Sequence, residues 1–488
     1  MRMDPRACTR LLKSGTPIRL FGKVNKVVGL VVEGSGLRAP LGAVCHMLAD
    51  EDSEGIAAEV VGFREGNLLF MPYGDMRGIR PGSRIRNTSL PPVFPVGPYL
   101  LGRAFDAFGS PLDAGPPVSA ELYASPLPAG EQDQEAYQRQ MESQQPFVPQ
   151  WAARARELWQ PELAPIYADP PSPLQRPRIT DILDVGVRSI NSLLTLGKGQ
   201  RVGIMAGSGV GKSTLMGMMA RYTRADVNVI ALIGERGREV LEFMERDLGP
   251  EGMARSVLVV ATSDQSPLVR MRAAYAATAV AEYFRDKGMD VLLMMDSVTR
   301  FAMASRELGL AVGEPPTTKG YTPSVFAQLP KLLERAGRSA KGTITGIYTV
   351  LVDGDDFNEP IADAVRSILD GHIVLTRDLA DQGHFPAIDV LRSISRLRSD
   401  ICNREDVEAG RVITRRMSTY RRVEDMVNIG AYAKGSNPDI DDAIAAMPAI
   451  NAFLRQDVAE PQNLEQAMQQ MRALAGPLQA QGLPIQQR

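Results

Sequence analysis

Residues 202–222 constrain this chain more than any other stretch. An apolar run at 202–205 leads into Ala206-Gly207-Ser208-Gly209-Val210-Gly211-Lys212-Ser213-Thr214, and a helix-forming segment follows at 215–222. The order is strand, glycine-rich loop, helix. Glycines allow backbone N–H groups to converge on an anion, and a helix beginning near Lys212 turns its positive end toward the same point. In such a loop Lys212 neutralises the β- and γ-phosphates of a nucleotide, ATP being the expectation. The Ser213 hydroxyl ligates Mg2+, and Gly207, Ser208, Gly209, Val210, Gly211 and Thr214 complete the cradle. The first position is Ala206 where the usual pattern has glycine, but alanine is still small. An ordinary glycine-rich turn into a helix is the competing reading, and the flanking strand and helix argue against it.

A bound nucleotide needs acids and bases around it. Asp296 ends the apolar run 291–295, which suits a carboxylate that holds the metal through water. Glu235 follows the apolar run 227–233, within Gly234-Glu235-Arg236-Gly237-Arg238-Glu239. If that strand neighbours the one before the loop, Glu235 stands near the γ-phosphate as general base, with Arg236 beside it on the phosphate. From the residues alone, a solvated charged loop explains this segment equally well.

The rest of the chain supplies the setting. A length of 488 residues exceeds what one hydrophobic core usually serves, so two or three domains are expected. Runs at 227–233, 257–260, 291–295 and 344–351 read as buried strands and alternate with helical segments at 270–285 and 324–336. The pattern implies an α/β domain with a mainly parallel sheet. Before it, short apolar runs at 27–32, 57–61 and 68–71 between glycine turns suggest a small β-barrel or sandwich. After it, helices are expected over 415–433, 440–454 and 464–474. Residues 115–178 are rich in proline and glutamine, which points to a linker with a short helix near 131–144. Trp151 and Trp159, the only tryptophans, fall there, and serve either to pin this stretch to the body or to meet a partner. The assigned spans are 1–20 for an amino-terminal segment, 21–114 for the barrel, 115–178 for the insertion, 179–400 for the α/β domain and 401–488 for the helical domain.

Composition excludes several classes. The formal net charge of −2 does not favour nucleic acid or an anionic membrane as the main partner. Cys8, Cys45 and Cys402 are scattered, and His46, His372 and His384 lack metal-ligand spacing, so neither a disulfide framework nor a zinc site is expected. The sequence has no apolar run of membrane-spanning length. The first residues, MRMDPRACTRLLKSG, lack the apolar segment of a secretory signal, so a cytoplasmic location is expected.

Longer segments carry a resemblance. AGSGVGKST (206–214), IGERGREV (233–240) and LLMMDSVTRFAMASRE (292–307) resemble the RecA-like catalytic core of the F-type ATP synthase family. YTPSVFAQLPKLLERAG (321–337), 348–375 and PAIDVLRSISR (386–396) are similar to its flagellar and type III secretion export branch, and GFREGNLLFMPYGDMRGIRPG (62–82) is similar to that branch's barrel. The resemblance implies an ATPase with Lys212 and Ser213 on phosphate and Mg2+, Glu235 as catalytic carboxylate with Arg236 beside it, and Asp296 as the metal-side acid. It further implies that Arg396 is an arginine finger reaching the adjacent subunit's nucleotide and that Phe385 stacks on adenine, where the family often has tyrosine.

By the same resemblance, a homohexamer is expected to couple hydrolysis to chaperone release and export of unfolded flagellar substrates. A stator-like regulator would bind the first 20 residues. Export-gate membrane proteins, export chaperones and their substrates would be further partners, and the chain would meet the membrane only through them, at its inner face. The ATPase of a virulence-type secretion system is the alternative. A rotary ATP synthase subunit and a terminator-type RNA translocase are lesser ones; Phe21, Phe63 and Phe70 lack the basic cluster that RNA binding needs. The long insertion departs from the family pattern and is either a solvated excursion or a partner-binding arm.

Overall fold

The computed structural model describes residues 21–49, 55–88, 91–113, 162–352 and 359–476. It divides into two compact units, the first built on residues 1–93 with 266–271 and 303–325, the second on the remainder. The expected partner-binding segment, the helix near 131–144 and both tryptophans lie outside the described residues.

In the first unit, strands β1 (Phe21–Val28), β2 (Val31–Ser35), β3 (Val44–Leu48), β4 (Ile56–Arg64), β5 (Asn67–Pro72) and β6 (Arg84–Asn87) close a barrel in the order β1-β2-β5-β4-β3-β6. Alternate residues point inward, so Ala58 and Val60 on β4 meet Leu68 and Phe70 on β5, with Val24, Val32, Cys45, Met47 and Ile85 completing the core. The run 27–32, read as one strand, is a hairpin. Gly29 at φ +57 reverses the chain, and Val28 pairs with Val31. Apolar residues on both sides of the turn hide it from a periodicity argument.

The second unit holds a sheet with strands β7 (Arg103–Phe105), β8 (Arg201–Ala206), β9 (Val227–Ile233), β10 (Ser256–Ala261), β11 (Asp290–Asp296), β12 (Thr343–Leu351), β13 (Gly371–Leu375) and β14 (Ile394–Ser395). Their spatial order is β14-β13-β8-β12-β11-β9-β10-β7, with Gly337–Arg338 paired to β12 off this path. The neighbours from β13 to β7 run parallel, while β14 pairs antiparallel with β13. Every residue of β9 is buried, as expected where helices cover both faces of a parallel sheet. Residues 162–178, within the stretch read as linker, are tied to this body. Ile166 is buried, and the Arg335 guanidinium donates to its carbonyl at 2.6 Å while pairing with Glu282.

The carboxyl-terminal part is helical, as the sequence indicates. Its first helix runs from Arg404 to Asn428, starting well before the expected residue 415 and ending before 433. Asn403 caps it by accepting the Asp406 N–H at 2.8 Å. The early half buries only Asp406, Ala409, Gly410 and Ile413, mostly small or polar residues that give a weak apolar signal. Helices Pro438–Leu454 and Leu464–Ala475 follow. Phe453, Leu454, Met468 and Met471 share one buried core with Ile190, Leu193 and the sheet residues. Arg472 pairs with Asp406 at 2.6 Å and Arg416 with Asp442 at 2.7 Å.

Candidate active site

The glycine-rich loop lies at the carboxyl end of β8, where Ala206 is in register with Leu351 of β12 and Leu375 of β13. Ligands of open parallel sheets bind at such ends. Helix α1 (Lys212–Tyr222) begins directly after Gly211, which has φ +88 and ψ +21, a conformation that an L side chain resists. A Cβ on Gly209, at φ +77, would meet nothing within 4 Å, so the loop's outer side is open. Lys212 and Ser213 occupy the first turn of α1, as the sequence predicts.

Three charged groups meet here. The Lys212 Nζ lies 2.6 Å from Asp296 Oδ1 and 3.7 Å from Glu235 Oε1. Asp296 also accepts from the Thr349 hydroxyl at 2.6 Å. Burial alone would lower the pKa of the Lys212 ammonium, but the carboxylates of Asp296 and Glu235 hold it above its ordinary value. Glu235 is pushed up to about 7, first by burial and then by the Asp296 carboxylate, against the opposing pull of Lys212. Its Oε1 is buried without a hydrogen-bond partner. A buried carboxylate oxygen left open beside a lysine and a phosphate-binding loop has its acceptor capacity available for a ligand or water.

Glu235 reaches this cluster by a different route from the one its sequence position suggests. Strand β9 does not neighbour β8; β12 and β11 lie between them. The chain turns at Gly234, with φ +70, and the Glu235 carbonyl accepts the Ser263 N–H at 3.0 Å. The turn carries Glu235 over the ends of the intervening strands.

The remaining candidates are placed unevenly. Arg236 is exposed, pairs with Glu239 at 3.5 Å, and is not among the groups around Lys212. Phe385 is 47% exposed, and a Cβ added to Gly211 would lie 3.8 Å from its ring, so the aromatic borders the loop. Arg396 is exposed and follows β14, which pairs with the amino end of β13 through Ser395 and Gly371. The loop lies at the other end of that strand, roughly 13 Å away along it. Arg396 therefore does not converge on its own loop; its Nη2 lies 3.4 Å from the Arg366 carbonyl.

Two residues join the site that were not singled out from the sequence. Arg300, in the first turn of helix α2 (Val298–Val312), packs its aliphatic stem against Gly234, and its charge acts on both Lys212 and Glu235. Its Nε is buried without a hydrogen-bond partner. Arg377 donates from Nη2 to the Ser208 carbonyl at 3.0 Å, bracing the loop from the Phe385 side.

Mg2+ suits this donor set. Asp296 would supply one carboxylate and Ser213 one hydroxyl, and no group of three or more His, Cys, Asp or Glu side chains gathers as a metal cage among the described residues. Mg2+ is commonly held by one or two carboxylates together with substrate phosphates and water.

A glycine-rich loop at the carboxyl end of a central parallel strand, with Lys212, Asp296 and Glu235 gathered over it, defines a P-loop nucleotide-binding protein of the α/β class. Comparison with known proteins narrows the class. The nucleotide-binding domain of the ATP synthase alpha/beta family matches residues 186–395, and that family's beta-barrel domain matches 24–89. The T3SS EscN ATPase C-terminal domain matches 402–473. A flagellum-specific ATP synthase of Bacillus subtilis is 52% identical over 93% of this chain and 95% of its own length. A type 3 secretion system ATPase of Xanthomonas euvesicatoria is 45% identical over 90% of each. The assembled ATPase EscN of the enteropathogenic E. coli type III secretion system superposes with a TM-score of 0.79, at 40% identity, over 93% of this chain and 100% of that one. This chain belongs to the family of flagellum-specific ATP synthases and type 3 secretion system ATPases.

Proposed function

We propose that this protein hydrolyses Mg·ATP as the motor of a flagellar type III export apparatus. The Lys212–Asp296–Glu235 cluster beside the loop carries the reading: it joins a phosphate-neutralising cation to a carboxyl that titrates near pH 7. Lys212 neutralises the β- and γ-phosphates, and the loop's N–H groups orient them. Glu235, once ionised, accepts at Oε1 the proton of the attacking water, a role that a carboxyl poised near the working pH fills well. Arg300 adds positive charge beside the γ-phosphate, and Phe385 offers its ring face to adenine. Ser213 and Asp296 would hold Mg2+, which draws charge from the phosphates when bound.

Arg396 completes the site of a neighbouring copy. Its exposure at the far end of β13 from its own loop supports a head-to-tail ring, for which we adopt a homohexamer. The EscN relative has been seen assembled and in complex with a central stalk, EscO. By analogy we assign this chain a stalk partner, a stator-like regulator at residues 1–20, and export-gate proteins and chaperones that deliver unfolded substrates. No helix among the described residues is long and apolar enough to cross a membrane, in keeping with a role at the inner membrane face that runs through these partners. The similarity to the Xanthomonas protein supports a virulence-type system as the second reading.

The test is Mg·ATP hydrolysis against protein concentration for wild type and Arg396→Ala. Specific activity that climbs with concentration, and falls at least tenfold in the variant while ATP still binds, supports a shared site. Activity that is independent of concentration and of Arg396 would mean a self-contained site and would overturn the ring.

A further inference from the structure

The carboxyl-terminal region reaches Phe385 through a backbone hydrogen bond. Gln456 follows helix Pro438–Leu454 and is 5% exposed. Its Oε1 accepts the Arg188 N–H at 2.7 Å. Its Nε2 donates to the Gly186 carbonyl at 2.9 Å and to the Glu460 carbonyl at 2.6 Å. Both amide protons are thereby used, and a buried amide so bound has a single orientation. Its backbone N–H in turn donates to the carbonyl of Phe385 at 2.9 Å.

The anchor points are themselves closely packed and hydrogen-bonded. Gly186 has φ +70, and a Cβ there would sit 2.1 Å from the Cβ of Tyr222. The Arg188 guanidinium donates to the carbonyls of Phe453 and Arg455 at 3.0 and 3.1 Å and pairs with Glu460. The Phe385 ring, by contrast, is half-exposed. Packing on one side alone does not hold a ring in place, so its position over the loop depends on how its backbone is held.

We propose that Gln456 is a positioning residue for the base subsite: its locked amide holds the backbone bond that presents Phe385 to adenine. The inference rests on the assignment of Phe385 to adenine. It makes the carboxyl-terminal helical region part of base recognition, without requiring it to touch the phosphates. Lys212, Asp296, Glu235 and the loop share no hydrogen bond with Gln456 among the described residues.

Binding to the phosphates alone and binding to the whole nucleotide must therefore separate. In Gln456→Ala, the Kd of Mg·ATP, measured calorimetrically, should rise about five- to tenfold, as loss of an anchoring hydrogen-bond set implies. The Kd of Mg·inorganic triphosphate should stay within about twofold, since that probe has no base. KM for ATP should rise with Kd while kcat holds. Gln456→Glu fills the same volume but sets an oxygen against the Gly186 and Glu460 carbonyls, so it should behave like the alanine variant; it carries the test if Gln456→Ala does not fold. In a Phe385→Ala background, Gln456→Ala should add nothing further. Equal losses for ATP and triphosphate, or full additivity with Phe385→Ala, would overturn the proposal while leaving Phe385 on adenine. If Phe385→Ala leaves ATP affinity unchanged, the adenine assignment itself fails, and this inference fails with it.

Discussion

Replacing Glu235 by glutamine tests the site through stability as well as rate. Burial and the neighbouring Asp296 raise its pKa from the ordinary 4.5 to about 7 in the folded chain. The folded state therefore binds the Glu235 proton more tightly than the unfolded chain does. The resulting stabilisation is fully present below pH 4.5 and is lost as pH rises through about 7. The difference between the two pKa values corresponds to about 3 kcal/mol. Glutamine has no proton to lose, so Glu235→Gln escapes this loss. The assay is urea denaturation of nucleotide-free protein at pH 5 and pH 8, followed by circular dichroism. At pH 5 the variant and wild type should differ little; at pH 8 the variant should be the more stable by up to about 3 kcal/mol. ATP should still bind, because the substitution leaves the loop, Lys212, Ser213 and Asp296 in place. Turnover should fall by about 10²–10⁴, the range for a removed general base. A stability gap that does not change with pH, or a variant less stable than wild type at pH 8, would refute the electrostatic reasoning. Loss of ATP binding would refute the assigned role.

Two further changes probe the same cluster. Arg300→Ala removes a positive charge that holds the pKa of Glu235 down, so the acid limb of the pH–rate profile should move to higher pH; a limb that stays in place would separate Arg300 from Glu235. Gly211→Ala puts a side chain at φ +88, which costs about 1–2 kcal/mol. The added Cβ meets Phe385 only at ordinary contact distance, so ATP affinity should fall through loop strain, and unchanged affinity by calorimetry would show that the loop tolerates another conformation.

The parts of this protein that local sequence reveals are those whose chemistry is contiguous. The loop at 206–214 declares itself because strand, glycines, lysine and hydroxyl must follow one another. Strands β8 to β12 declare themselves as apolar runs because both faces are covered, whereas the short β7, β13 and β14, of three, five and two residues, do not. The hairpin at Gly29 and the early half of the helix from Arg404 escape the same reading. In the first, both strands are apolar on either side of the turn; in the second, the buried residues are small or polar.

Assembly of the site is a different matter. The sequence by itself determined the loop and offered Lys212, Asp296 and Glu235 as candidates, Glu235 only on a par with a solvated charged loop until the family resemblance is added. It left open which strands lie side by side, because a parallel strand's apolar run carries no record of its neighbour. Only the tertiary structure put β12 and β11 between the loop strand and β9. It alone brought Glu235 across them, set Arg300 beside both, and left Arg396 at the opposite end of the sheet. It also tied Gln456 to Phe385, 71 positions away by the numbering. Spacing along the chain governs what a loop or helix can present to its immediate neighbours. Contacts between distant segments depend on how whole layers pack, a property of the folded chain that no short window of residues contains.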